Sequence, residues 1–123
     1  MTADQRTTVA EWRHVTALAA GLLLAPFAAM LHLELGYAGV RRACRSASDN
    51  ILHLETVVLL ALALLGAAIA GRIWSRARQG AAAGDPASCR DRFLGAAGLG
   101  LGVLFALVIV AQWLPVFQLS PCQ

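Results

Sequence analysis

Three long apolar stretches, Val15 to about Val40, Ile51 to Ile73 and Phe93 to Leu114, are separated by short polar connections. Each is longer than the roughly 20 residues a helix needs to cross about 30 Å of hydrocarbon. The pattern predicts an all-α protein of three transmembrane helices, spanning about 15–40, 51–73 and 93–114. Residues 1–123 then form one domain, because the connections leave no room for a separate soluble unit. The second connection, SRARQGAAAGDPASCRDR at 75–92, is rich in Ala, Gly and Arg and reads as a flexible linker. Composition agrees: with 59% hydrophobic and 14% charged residues, the chain has too few charges to cover a soluble surface of this size.

The start of the first stretch invites comparison with a secretory signal. Basic residues precede an apolar core, and APFAAM at 25–30 loosely matches a small-residue cleavage site. However, the flank carries Asp4 and Glu11, and the apolar run continues to Val40, a length that favours a retained helix.

All ten basic residues are arginine, and they gather at the ends of the apolar stretches, where they read as topology signals rather than as a nucleic-acid surface. With three spans, the N-terminus and second connection share one side and hold seven arginines. The first connection holds Arg41, Arg42 and Arg45, and the C-terminal tail holds none. The positive-inside rule places the N-terminus and the 75–92 linker in the cytoplasm and the C-terminus outside. Trp12 and Trp74 then fall at the inner boundary, and Tyr37 and Trp113 at the outer one.

This orientation sorts the cysteines. Cys44 and Cys122 fall in the outer, oxidising compartment, which permits a Cys44–Cys122 disulfide, with two unpaired thiols as the alternative. Cys89 falls in the cytoplasm and stays reduced, and no CxxC pair suggests a metal site.

Small residues recur at spacing four: Gly21 and Ala25, Gly66 and Ala70 or Ala67 and Gly71, and Gly98 and Gly102. Lipid is as apolar as leucine, so membrane helices associate by close packing, and small residues permit it. Gly95, Gly98 and Gly102 in GAAGLGLG mark the expected packing face of the third helix, against this chain or another subunit. Pro26 is expected to bend or loosen the first helix.

The candidate chemistry is one polar layer. HLEL at 32–35 and HLET at 53–56 place His32, Glu34, His53 and Glu55 near the outer ends of two antiparallel helices, with Gln112 at similar depth on the third. In a symmetric hairpin His32 is level with Glu55, and Glu34 with His53. Residues i and i+2 lie about 200° apart on a helix, so the His and Glu of one HLE cannot share an ion. One cross-helix His–Glu pair is expected, with the other members turned elsewhere. Structural pinning, a subunit contact, a proton or quinone role, and haem ligation by His32 and His53 all remain open. No nucleophile–base set, phosphate loop or metalloprotease motif suggests catalysis.

Two segments, LHLELGYAGVRRAC at 31–44 and RFLGAAGLGLGVLFALVIVAQWLPVFQLSPC at 92–122, resemble small bacterial membrane proteins encoded among cytochrome oxidase genes. The matching positions are His32, Tyr37 and Cys44 on the first helix and its end, and His53 and Thr56 at the start of the second. On the third they are Arg92, Phe93, Gln112, Leu114 and Pro115, followed by Pro121 and Cys122. The family often carries Pro-Trp before its first-loop cysteine, where this chain has Arg42 and Ala43, and the two glutamates lie outside the shared pattern. The resemblance implies an inner-membrane accessory or assembly subunit of a haem-copper oxidase, acting through helix packing with other membrane subunits. The alternatives to those subunits are a homo-oligomer or a small redox protein holding haem or quinone at the histidine layer.

Overall fold

The computed structural model describes residues 2–46, 50–82 and 84–118. They form three α-helices: α1 (Ala3–Ser46), α2 (Asn50–Ala82) and α3 (Pro86–Gln118). Each contains a segment long and apolar enough to cross a membrane, which makes this a multi-pass membrane protein. At 1.5 Å per residue, α2 and α3 are each about 50 Å long, so all three helices project beyond about 30 Å of hydrocarbon.

The helices overrun the predicted spans at every end. Arg41, Arg42 and Arg45 belong to the last turns of α1 rather than to a loop. α1 continues through Pro26 and α3 through Pro115.

The 75–92 segment is not a flexible linker. It is helical on both sides of a short turn that includes Gly84 and Asp85. Alanine is the strongest helix former, so its alanines extend α2, and the stop comes from three consecutive residues. Gly84 takes a positive φ of 82°, open to glycine without a Cβ penalty. Asp85 caps α3, accepting hydrogen bonds from the Ser88 N–H (3.0 Å) and hydroxyl (2.6 Å), and Pro86 occupies the first helical position. The Ser88 hydroxyl, then its N–H, hold the Asp85 carboxyl below its ordinary 3.8. A depressed carboxylate supports the folded cap above that ordinary value, and the support is lost as pH falls through the lower folded one. At the other extreme of the chain, Thr2 and Gln5 cap α1 reciprocally, the Thr2 N–H donating to Gln5 Oε1 at 3.0 Å and the Gln5 N–H to Thr2 Oγ1 at 3.4 Å.

α2 lies between the other two, packing most extensively on α3, then on α1, while α1 and α3 touch least. The core is largely alanine: Ala25, Ala28 and Ala29 of α1, Ala63, Ala67 and Ala70 of α2, and Ala106 with Ile109 of α3. Larger apolar side chains, among them Leu23, Phe27, Leu65, Leu104 and Leu107, face outward. In water this distribution would be inverted; in lipid it leaves small surfaces for helix contact and large ones for acyl chains.

The glycines mark the closest approaches. A Cβ at Gly98 would stand 2.9 Å from the Gly21 carbonyl oxygen and 3.0 Å from Ala70 Cβ. At Gly102 it would stand 2.6 Å from Ala67 Cβ, and at Gly95 2.7 Å from the Trp74 backbone nitrogen. At Gly100, by contrast, it would meet nothing within 4 Å. Gly98→Leu is therefore expected to destabilise the bundle by about 1–3 kcal/mol through overpacking, while Gly100→Ala leaves it unchanged or slightly firmer. Reversible unfolding in mixed micelles measures both.

Candidate functional site

Helical geometry divides the four HLE side chains among different neighbours. His32 is 8% exposed and faces α2, where its Nδ1 lies 3.4 Å from Glu55 Oε1. This is an ion-pair separation, but the two atoms are not aligned as a hydrogen bond, and both are buried without another partner. Two residues before Glu55, His53 points toward α3 instead. Its Nδ1 accepts a hydrogen bond from the Trp113 indole N–H at 2.9 Å, and its ring packs against Trp113 and Phe117. Glu34, two residues from His32, is turned outward and exposed, with no partner among the described residues.

The structure thus brings His32 and Glu55 together and keeps Glu34 and His53 apart. Gln112 is exposed but borders the same region as His32 and Glu55. Thr56, one residue after Glu55, is buried and closes its hydroxyl on the Leu52 carbonyl at 2.8 Å, so it adds no free donor.

A cavity of about 240 Å³ opens beside the His32–Glu55 pair. α1 contributes His32, Leu33, Gly36 and Tyr37, α2 contributes Leu52, Glu55 and Thr56, and α3 contributes Gln112 and Val116. It lies at the end of the bundle carrying the α1–α2 connection, between helices that touch tightly at Gly21 and Gly98 further along.

The opposite end holds a second polar contact, between α1 and α3. His14 Nε2 lies 2.7 Å from Asp91 Oδ2, with Arg90 Nε 3.6 Å from the other carboxylate oxygen. Nearby, the Arg78 guanidinium sits 5.0 Å over the Trp74 ring. The same register that puts Gly98 beside Gly21 puts Asp91 beside His14.

Sequence reasoning missed two of these contacts. The His14–Asp91 pair depends on the offset between α1 and α3, which no local motif encodes. The Trp113–His53 bond was hidden because a tryptophan near a span end already has an explanation as an interfacial anchor. A histidine and a tryptophan at matching depth on adjacent helices were the available signal.

Several expected groupings meet this geometry differently. His32 and His53 turn to different helices, His32 toward Glu55 of α2 and His53 toward Trp113 of α3. Among the described residues no three His, Cys, Asp or Glu side chains converge as a metal-binding set. Cys89 is exposed, whereas the Cys44–Cys122 bridge falls outside the described residues and side chains.

Fold and site together define a small multi-pass helical bundle with an open polar end. Comparison with protein-family models, curated proteins and solved structures gives no match.

Hydrogen bonds between membrane helices are modest, averaging about 0.6 kcal/mol and reaching at most about 1.7. A double-mutant cycle of His53→Leu and Trp113→Phe in micelle unfolding should give a coupling in that range, tying α2 to α3. Zero coupling would mean that the indole bond contributes nothing to bundle stability.

Proposed function

We propose that the chain is a small accessory or assembly subunit of a respiratory membrane complex, a haem-copper oxidase, and that it acts through helix packing rather than catalysis. The carrying observation is Glu34: a carboxylate inside a candidate span, exposed, and turned away from its own bundle. Ionisable groups in a membrane span face protein or water rather than lipid, and near the interface, where Glu34 lies, the cost of holding one is small. A helix of a neighbouring subunit supplies the missing partner. The broad apolar faces of a thin three-helix bundle, with Phe27, Met30 and Leu107 outward, offer surface for that neighbour. The resemblance carried by His32, Tyr37, His53, Gln112 and Pro115 supports an oxidase as the complex.

In this reading the protein lies in the bacterial inner membrane with its N-terminus and the 82–86 turn in the cytoplasm, as the arginine distribution supports. The Cys44–Cys122 disulfide then forms on the outer side and fastens the C-terminal tail over the polar end.

A tagged chain extracted in mild detergent is expected to bring haem-copper oxidase subunits with it in fixed ratio, and Glu34→Leu to reduce that yield severalfold. Recovery as a homo-oligomer alone would overturn the assignment. Orientation has its own check: a membrane-impermeant thiol reagent applied to intact cells should leave Cys89 unlabelled, and labelling would invert the topology.

A further inference from the structure

The cavity beside His32 and Glu55 has a size, a wall and a polar corner that together specify a ligand. At about 240 Å³ it exceeds the roughly 150 Å³ that accommodates one benzene ring. It falls short of the roughly 300–1,000 Å³ typical of drug-sized sites. One substituted six-membered ring fits; a porphyrin does not.

Most of its surface is apolar, with Leu33, Leu52 and Val116 on the wall, which favours a neutral ring over a charged headgroup. The polar corner is the His32–Glu55 pair, whose Nδ1 and Oε1 face each other without a hydrogen bond. The remaining polar atoms, His32 Nε2 and Glu55 Oε2, have no hydrogen-bond partner among the described residues. Thr56 offers no donor, since its proton is committed to Leu52. Imidazole N–H and carboxylate are therefore the groups available to a ligand, and a hydroxyl satisfies both at once, donating to one and accepting from the other. A lipid acyl chain would cover the wall but leave this corner unsatisfied in hydrocarbon, where unpaired polar groups are costly.

The cavity is also open on one side, where Tyr37 of α1 and Gln112 of α3 are exposed, so an apolar tail can leave toward the bilayer. Gly36 forms part of that opening, and a Cβ there would meet nothing within 4 Å.

We propose that this cavity binds a neutral amphiphile whose head is a hydroxylated six-membered ring on an apolar tail, the chemistry of a quinol. The ring hydroxyl donates to the Glu55 carboxylate and accepts from the His32 imidazole, and no redox step is part of the binding. The site belongs to the isolated chain and does not depend on the accessory-subunit reading, which co-purification decides separately.

The full chain in phosphatidylcholine nanodiscs, kept under inert gas without thiol reductant, is titrated with a decyl hydroquinone carrying a photoreactive diazirine on its tail. Cross-links are expected within 31–37, 52–56 and 112–116, saturating with ligand. The bis-methyl ether of the same ring, which lacks the donor, should compete about tenfold more weakly or worse, as expected for a lost hydrogen bond to a charged group. Gly36→Leu sets a bulky side chain at the opening, where its Cβ meets no neighbour within 4 Å, so it should abolish saturable labelling while helicity and micelle stability are kept. Labelling spread along all three helices and indifferent to Gly36→Leu would show simple partition into the bilayer and overturn the proposal. Equal competition by the methyl ether would overturn it as well, by reducing the site to an apolar groove.

Discussion

Backbone approach at Gly21, Ala70 and Gly98 is the constraint on which the rest of the bundle depends. Lipid tails solvate leucine as well as another leucine does, so burying large apolar side chains gives these helices no reason to associate. What remains is dispersion between surfaces brought into close contact, and that requires small residues on all three helices at one level. Gly98 lies against the Gly21 carbonyl and the Ala70 methyl together, so one position fixes α3 against both other helices. The register that results sets the two ends. Toward the 82–86 turn it lines His14 up with Asp91; toward the α1–α2 connection it leaves α1 and α3 separated by the cavity.

Polar side chains are then distributed by the helical period. α2 occupies the middle and presents one polar residue to each neighbour, Glu55 to α1 and His53 to α3, because residues two apart face opposite ways. The same rule on α1 turns His32 inward and Glu34 outward. The four side chains of the doubled HLE motif therefore fall into three settings: one buried pair, one indole-bonded imidazole and one outward carboxylate.

How much of this was legible in the sequence depended on whether the determinant was local. Span number and helical class follow from the length and apolarity of three stretches, which no tertiary contact needs to supply. Helical periodicity and hairpin symmetry left two candidate pairs, His32 with Glu55 and Glu34 with His53, and which of them turns inward was not legible. Helix ends were less legible, because Ala- and Gly-rich composition suggested a flexible 75–92 segment. The local chemistry there was nonetheless explicit: Gly84, Asp85 and Pro86 are a helix stop, cap and start in immediate succession, and the alanines before them extend α2. Contacts between α1 and α3 were not legible at all. Their offset is set by Gly21 meeting Gly98, and composition alone does not choose that pairing over Gly21 meeting Gly95 or Gly102.

The two ends of the bundle differ in how far their polar groups close on one another. Near the 82–86 turn, Asp85 is engaged by Ser88, His14 by Asp91, and Arg78 by the Trp74 ring. At the other end, Glu34 and Gln112 are exposed and the His32–Glu55 pair keeps bonding capacity beside an open cavity. Among the described residues Glu34 and the pair therefore leave bonding capacity open. Glu34 and the pair cannot be met by the same occupant, since residues 32 and 34 lie on opposite faces of α1. A flat helix surface suits the outward carboxylate, and an object small enough to enter between α1 and α3 suits the pair. The two sides of this polar layer are thus independent of one another, separated by the roughly 200° between alternate residues of a helix.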